Sequence, residues 1–309
     1  MFGLWLLAAP AAAQPVTSES YVIQSACLDR AGTPIPGRLP FEPGCDRTRP
    51  LRTGEPLPYR KHDWPGAPDA LPRGYQASDS LLGTLRGAPA AIQTFDFGNA
   101  PREFGRKDSG DGGQVIPLPA DGSLSAAMTE DGGAGVQWFQ SATCQAGWLL
   151  AVPPFTGEWQ QRLIGLNITS GPEVCPSRLN PSLTRWRSAR IDLPWRESGT
   201  GRTAATPAEV LVSEHFSGTA IAVADHLERF WFARGLGLVR WERWENGPRS
   251  RLAARVAMAA QLYGSGRCPP IAFGEPPDAG WQLVDCRTWT NMVREAPLPA
   301  LDWPAPSLR

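Results

Sequence analysis

Histidine is scarce in this 309-residue chain, which has three: His62, His215 and His226. No His-Glu-x-x-His pair, Gly-x-Ser-x-Gly turn or phosphate-cradling P-loop occurs. No Gly-x-Gly-x-x-Gly follows a strand and opens a helix either, so nucleotide chemistry has no sequence support. Excess charge is also missing, since Lys plus Arg and Asp plus Glu are 30 each. General nucleic-acid or membrane-surface binding needs a basic excess, so neither is expected. Beyond the amino-terminal run no apolar stretch approaches the length of a membrane-spanning helix, so no membrane insertion is expected. No cofactor is implied, and catalysis has little support. These absences leave a protein that binds or builds.

Residues 1–13, MFGLWLLAAPAAA, form a short apolar run with small residues before Gln14. This is the pattern of a secretory signal peptide, although the positive leading region is missing, which leaves a start further upstream open. No cysteine follows directly, so no lipid anchor is expected, and the expected location is periplasmic or extracellular. Six cysteines, Cys27, Cys45, Cys144, Cys175, Cys268 and Cys286, then read as disulfide partners in an oxidising compartment. Proximity along the chain favours Cys27–Cys45, Cys144–Cys175 and Cys268–Cys286, while sequence leaves the connectivity open. No pair has zinc-finger spacing. The preponderance of arginine over lysine reads as the composition of a high-GC bacterium.

Ten prolines between Pro34 and Pro72 exclude a central strand or long helix there, because proline removes a backbone donor. Residues 14–75 are therefore expected to be an irregular, disulfide-tied lead-in wrapped on the body. From 76 to 203, short apolar runs alternate with Asp-Gly turns at 111, 121 and 131. That spacing predicts a mainly β protein, an antiparallel sandwich or barrel. Gln114–Ala120 and Ser123–Met128, either side of Asp121-Gly122, are expected to pair as a hairpin. Ser198 to Gly201 is expected to be a hinge or linker. A second β region, 204–296, has a strand over Val210–Phe216, a helix over 251–263 and a strand from Trp281. The proline-rich tail, 297–309, is expected to be extended.

The densest stretch is LERFWFARGLGLVRWERWEN, residues 227–246. A helix over 219–234 competes with a hairpin turning at Gly235-Leu236, and the triplet Phe230-Trp231-Phe232 favours the strand. The predicted register sets Phe232 opposite Val239, Phe230 opposite Trp241 and Glu228 opposite Arg243 on one, core-facing side. The other side carries Ala233/Leu238, Trp231/Arg240, Arg229/Glu242 and Leu227/Trp244. Both charged pairs come out opposite in sign, which supports the register.

Trp231, Arg240, Trp244 and Arg229 share one predicted face, a candidate platform for a glycan or another envelope protein, because an exposed indole stacks on a sugar ring. The plainer alternative is a covered face with a structural cation–π pair. The leading expectation is non-catalytic binding of a polysaccharide or cell-envelope glycan. A glycoside hydrolase using Glu214 and Glu228 is an alternative, since two carboxylates across a sugar suffice for that chemistry. A structural or assembly protein of the envelope is another. Asp108 and Asp111 could offer oxygens to a cation, although hairpin turns account for both. His215 and His226 could meet across strands, although two unrelated histidines are the plainer reading.

Overall fold

The computed structural model describes residues 17–64, 77–96, 111–131, 136–141, 144, 147–251, 253–261 and 268–294. The signal-peptide reading, Asp108 and the tail from 297 lie outside the described residues. The lead-in supplies α1 (Glu19–Val22), β1 (Ser25–Cys27), β2 (Thr48–Pro50) and β3 (Arg60–His62). Next come β4 (Ala77–Leu85), β5 (Ala88–Asp96), β6 (Asp111–Pro117), β7 (Leu124–Ala126) and β8 (Met128–Asp131). These lead to β9 (Val136–Gln140), β10 (Trp148–Ala151), β11 (Gln160–Thr169) and β12 (Asn180–Glu197). The chain continues with β13 (Thr203–Ser217), β14 (His226–Ala233), β15 (Gly237–Asn246), α2 (Ala253–Ala259), β16 (Trp281–Thr288) and β17 (Asn291–Val293).

The expectation of a mainly β, barrel-like protein holds. One sheet of 13 strands runs β11-β9-β8-β6-β5-β4-β3-β17-β12-β13-β14-β15-β16. An added β11–β12 pairing closes nine of these into a barrel. Closure depends on the length of β12. Its first half pairs with β11, as at Leu183↔Leu163, and its end pairs in parallel with β17 at Arg196↔Asn291. Its opposite edge carries β13 from Leu183↔Phe216 to Arg196↔Thr203. The regions 76–203 and 204–296 therefore share one sheet.

The four strands beyond β12 bring the β14–β15 hairpin over β4. Lys61 Nζ, fully buried, donates to the carbonyls of Leu236 and Leu238, each at 2.6 Å, and to Ser80 Oγ at 3.4 Å. Leu238 N also donates to Ser80 Oγ at 3.2 Å. Burial pulls the Lys61 pKa down to about 7, against the opposing pull of Asp79.

Hydrophobic clusters fill both sides of the hairpin. Phe230, Phe232 and Leu238 join Ile116, Phe139, Leu150, Trp186 and Trp289 in the main one. Trp231, Ala233 and Val239 join Leu39 and Tyr59 of the lead-in and Ile191, Leu193 and Trp195 of β12 in the second. Leu39 and Tyr59 thus pack the lead-in against β12 and the hairpin. The disulfides pair Cys27–Cys45, Cys144–Cys175 and Cys268–Cys286, with Cα separations of 5.5, 5.4 and 6.2 Å, in the normal range for such a bridge.

Other expectations need correction, but the 219–234 segment contains strand β14, as the hairpin reading expects, and not the competing helix. Its pairings from Leu227↔Trp244 to Trp231↔Arg240 are those expected, but the turn end differs. Ala233 pairs with Gly237 and Phe232 with Leu238, so Val239 is a bulge and Leu238 and Val239 exchange faces. The cause is a second glycine. Gly235 and Gly237 both take positive φ, 72° and 69°, which lengthens the loop, and the bulge restores the register.

Elsewhere, β7 follows the Asp121-Gly122 turn but pairs with β10, while β6 pairs with β8 at Val115↔Met128. Strand β3 is central to the ring despite its proline-rich surroundings, because residues 59–64 contain no proline. Ser198 to Gly201 is a tight hairpin turn closed by Glu197 N to the carbonyl of Arg202 at 2.8 Å, not a hinge. Of the helix expected over 251–263, Ala253–Ala259 is α-helical, while 252, 262 and 263 lie outside the described residues.

Candidate functional site

The structure places the four candidate platform residues inside the protein. Trp231 is 0% exposed, Arg229 1%, Arg240 5% and Trp244 6%, so they present no platform to solvent. Arg229 and Arg240 share Glu242: Arg229 donates to Oε2 at 3.2 Å, and Arg240 Nε to Oε1 at 2.8 Å. Trp244 Nε1 donates to Glu242 Oε2 at 2.7 Å. Both guanidinium groups lie 5.4 Å from the Trp231 ring, the structural cation–π arrangement. This face is architecture, a buried charge network completed by the carbonyls of Glu275 and Pro269, to which Arg229 and Arg240 also donate.

Glu214 belongs to the same network. It accepts from Arg229 Nε at 2.6 Å and from Arg185 Nε. In the ladder Glu214 opposes Arg229 while Glu228 opposes His215, so the two glutamates project from opposite faces of the sheet. They cannot flank one glycosidic bond. Asp111 begins β6, its backbone paired with Asp96, and no group of three or more His, Cys, Asp or Glu among the described residues is arranged to hold a metal. His215 is a satisfied core residue. Ser213 Oγ lies 2.9 Å from Nε2 and Thr184 Oγ1 3.3 Å from Nδ1, and burial holds its pKa at about 3 against the weaker pull of Glu228.

The opposite face of the hairpin lines a cleft of about 1170 Å³ between the barrel wall and the hairpin. Alternation along β14 aims Glu228 and Phe230 into it, and β15 adds Leu238, Trp241 and Arg243. The barrel wall contributes Phe95, Phe139 and Ile168, and β10 of the small β7–β10 sheet contributes Trp148. Gln114, Thr129 and Gln137 intersperse amides and a hydroxyl among the rings. Phe95, Trp148 and Trp241 are part-exposed, each offering ring surface to the cleft. Trp148 is wedged by neighbours, 4.4 Å from the His215 ring, 5.2 Å from Phe139 and 5.9 Å from Phe230. Trp241 is oriented by its Nε1 bond to Glu228 Oε2 at 3.2 Å.

Charge gathers where the hairpin opens. His226 lies between two carboxylates, with Nδ1 2.8 Å from Glu245 Oε1 and Nε2 3.4 Å from Glu228 Oε1. Burial would lower its pKa, but hydrogen bonds and charge from Glu228 and Glu245 outweigh that and raise it to about 9. Burial likewise opposes the Glu228 charge, yet His226, Arg243 and the Trp241 N–H bring its pKa down to about 2. Both groups hold their charges at neutral pH, which suits a fixed polar wall and not proton transfer. Arg243 joins them, Nε to Glu245 Oε1 at 3.0 Å.

Two arginines in this cleft, Arg251 and Arg255, escaped the sequence reading, as did its barrel-side aromatics. They come from segments far apart in sequence, so no local spacing announces them. The available signal was the Glu228/Arg243 and Phe230/Trp241 side of the hairpin, read as core. No helix among the described residues is long and apolar enough to cross a membrane. No family model, curated protein or solved structure matches the chain.

Proposed function

We propose that this chain is an exported, non-catalytic binding protein whose ligand, a polysaccharide or cell-envelope glycan, occupies the cleft. The observation that carries the reading is the lining. Part-exposed Trp148, Trp241 and Phe95 alternate with Gln114, Thr129 and Gln137 around a space large enough for an oligosaccharide. Rings match the apolar faces of sugars, and amides and hydroxyls match their edges. Three disulfides fit an oxidising compartment, which supports a periplasmic or extracellular location. The Glu214–Glu228 pair lends the hydrolase alternative no support, because the two face apart and Glu228 is committed to His226.

The test is a glycan-array screen followed by titration calorimetry on the disulfide-intact protein. Trp241→Ala is expected to weaken binding about tenfold or more, whereas Trp231→Phe on the buried face leaves affinity unchanged. A screen without ligands, or equal affinity in Trp241→Ala, overturns the reading.

A further inference from the structure

We infer that the glycan this cleft accepts is acidic, its carboxylate, sulfate or phosphate seated on Arg251 and Arg255 at the mouth. This rests on the glycan reading above and adds the ligand's charge. Polarity is graded along the hairpin. Phe232↔Leu238 and Phe230↔Trp241 lie near the turn, and Glu228↔Arg243 and His226↔Glu245 lie at the open end. A ligand stacked on Trp241 therefore extends toward a charged rim.

That rim is cationic. Arg243, Arg249, Arg251, Arg255 and His226 line it against Asp225, Glu228 and Glu245. With His226 protonated, positive charges outnumber negative ones by two, in a chain whose formal net charge is zero. Most of these groups are committed. Arg249 NH1 donates to the carbonyls of Ile221 and Ala224 at 2.9 and 3.2 Å, Arg243 holds Glu245, and Asp225 accepts from Ser217 at 2.7 Å.

Arg251 and Arg255 differ. Both are exposed, both line the cleft, and neither makes an ion pair among the described residues. Arg255 lies in α2 and Arg251 in the turn before it, and both line the same cleft. An uncommitted guanidinium offers paired donors that match carboxylate or phosphate oxygens, and engaging it breaks no existing bond.

The experiment titrates the disulfide-intact protein with a hexamer of galacturonic acid, a sulfated and a phosphorylated oligosaccharide of matched length, neutral maltohexaose, and inorganic phosphate. The acidic oligosaccharides are expected to bind about tenfold or more tightly than the neutral one at low salt. That preference is expected to fade at about 0.5 M salt, where exposed charges are screened. Arg251→Gln/Arg255→Gln should abolish the preference while leaving maltohexaose binding and the thermal midpoint unchanged, since both side chains are exposed. Which acidic ligand binds tightest identifies the anion. Equal binding of acidic and neutral ligands, by parent and double variant alike, overturns this inference and spares the glycan reading. Inorganic phosphate binding as tightly as the oligosaccharides also overturns it, as a simple anion site. Binding of no glycan at all removes both.

Discussion

His226 shows how one residue's surroundings set its behaviour. Held between Glu228 and Glu245, with Arg243 behind Glu245, it keeps its proton to about pH 9 in the folded protein, against an ordinary value of 6.5. A raised folded-state pKa stabilises the fold fully below the unfolded value, and that contribution disappears as pH climbs through the folded one. Glu228 has the opposite dependence, its contribution present above 4.5 and lost as pH falls toward about 2. The cluster is therefore strongest between pH 4.5 and 6.5. The stability gap between the parent and His226→Gln is expected to be on the order of 1 kcal/mol near pH 6, allowing for solvent screening. It should shrink as pH rises through about 9. Urea titrations at several pH values check this, and a gap that widens on the alkaline side would refute the pairing. Sequence showed the opposed charges of Glu228 and Arg243, but not the convergence on His226, because burial and reach across three positions are tertiary facts.

The β14–β15 hairpin was largely legible for a physical reason: a period of two and opposite charges at Arg229/Glu242 and Glu228/Arg243 admit one register. Its turn was not, because two glycines two residues apart allow loops of different length. Which face meets the cleft was not legible either, for a related reason. Apolar alternation marks a surface that avoids bulk water, and a buried core and an aromatic cleft satisfy it equally. Gly237 tests this account. Its φ is 69°, and a Cβ there would collide with Ser80 of β4, whereas Gly235, at φ 72°, has its nearest neighbour, Ser25 Oγ, at 3.8 Å. Gly237→Ala is expected to cost at least about 2 kcal/mol, combining dihedral strain with overpacking. Gly235→Ala should cost about 1 kcal/mol from the dihedral alone. Denaturant midpoints that reverse this order would show that β15 does not press on β4.

At the scale of the molecule, the barrel character followed from the regular Asp-Gly spacing, but the route of closure did not, since pairing between β3 and β17 joins distant parts of the chain. Met292, fully buried in the second cluster, anchors the closing strand. Met292→Ala is expected to destabilise by roughly 2–5 kcal/mol. Contacts of such long sequence separation form late, so stopped-flow tryptophan fluorescence should show faster unfolding with nearly unchanged refolding. A slowed refolding rate would instead put closure in the folding nucleus. The β3–β17 pairing has a further consequence, in time. A chain made from its amino terminus presents β3 before its ring partner β17 exists. Until residues 291–293 emerge, one edge of β3 lacks that partner and stays open to other chains. The interval before those three residues arrive is when this protein is most exposed to misassembly.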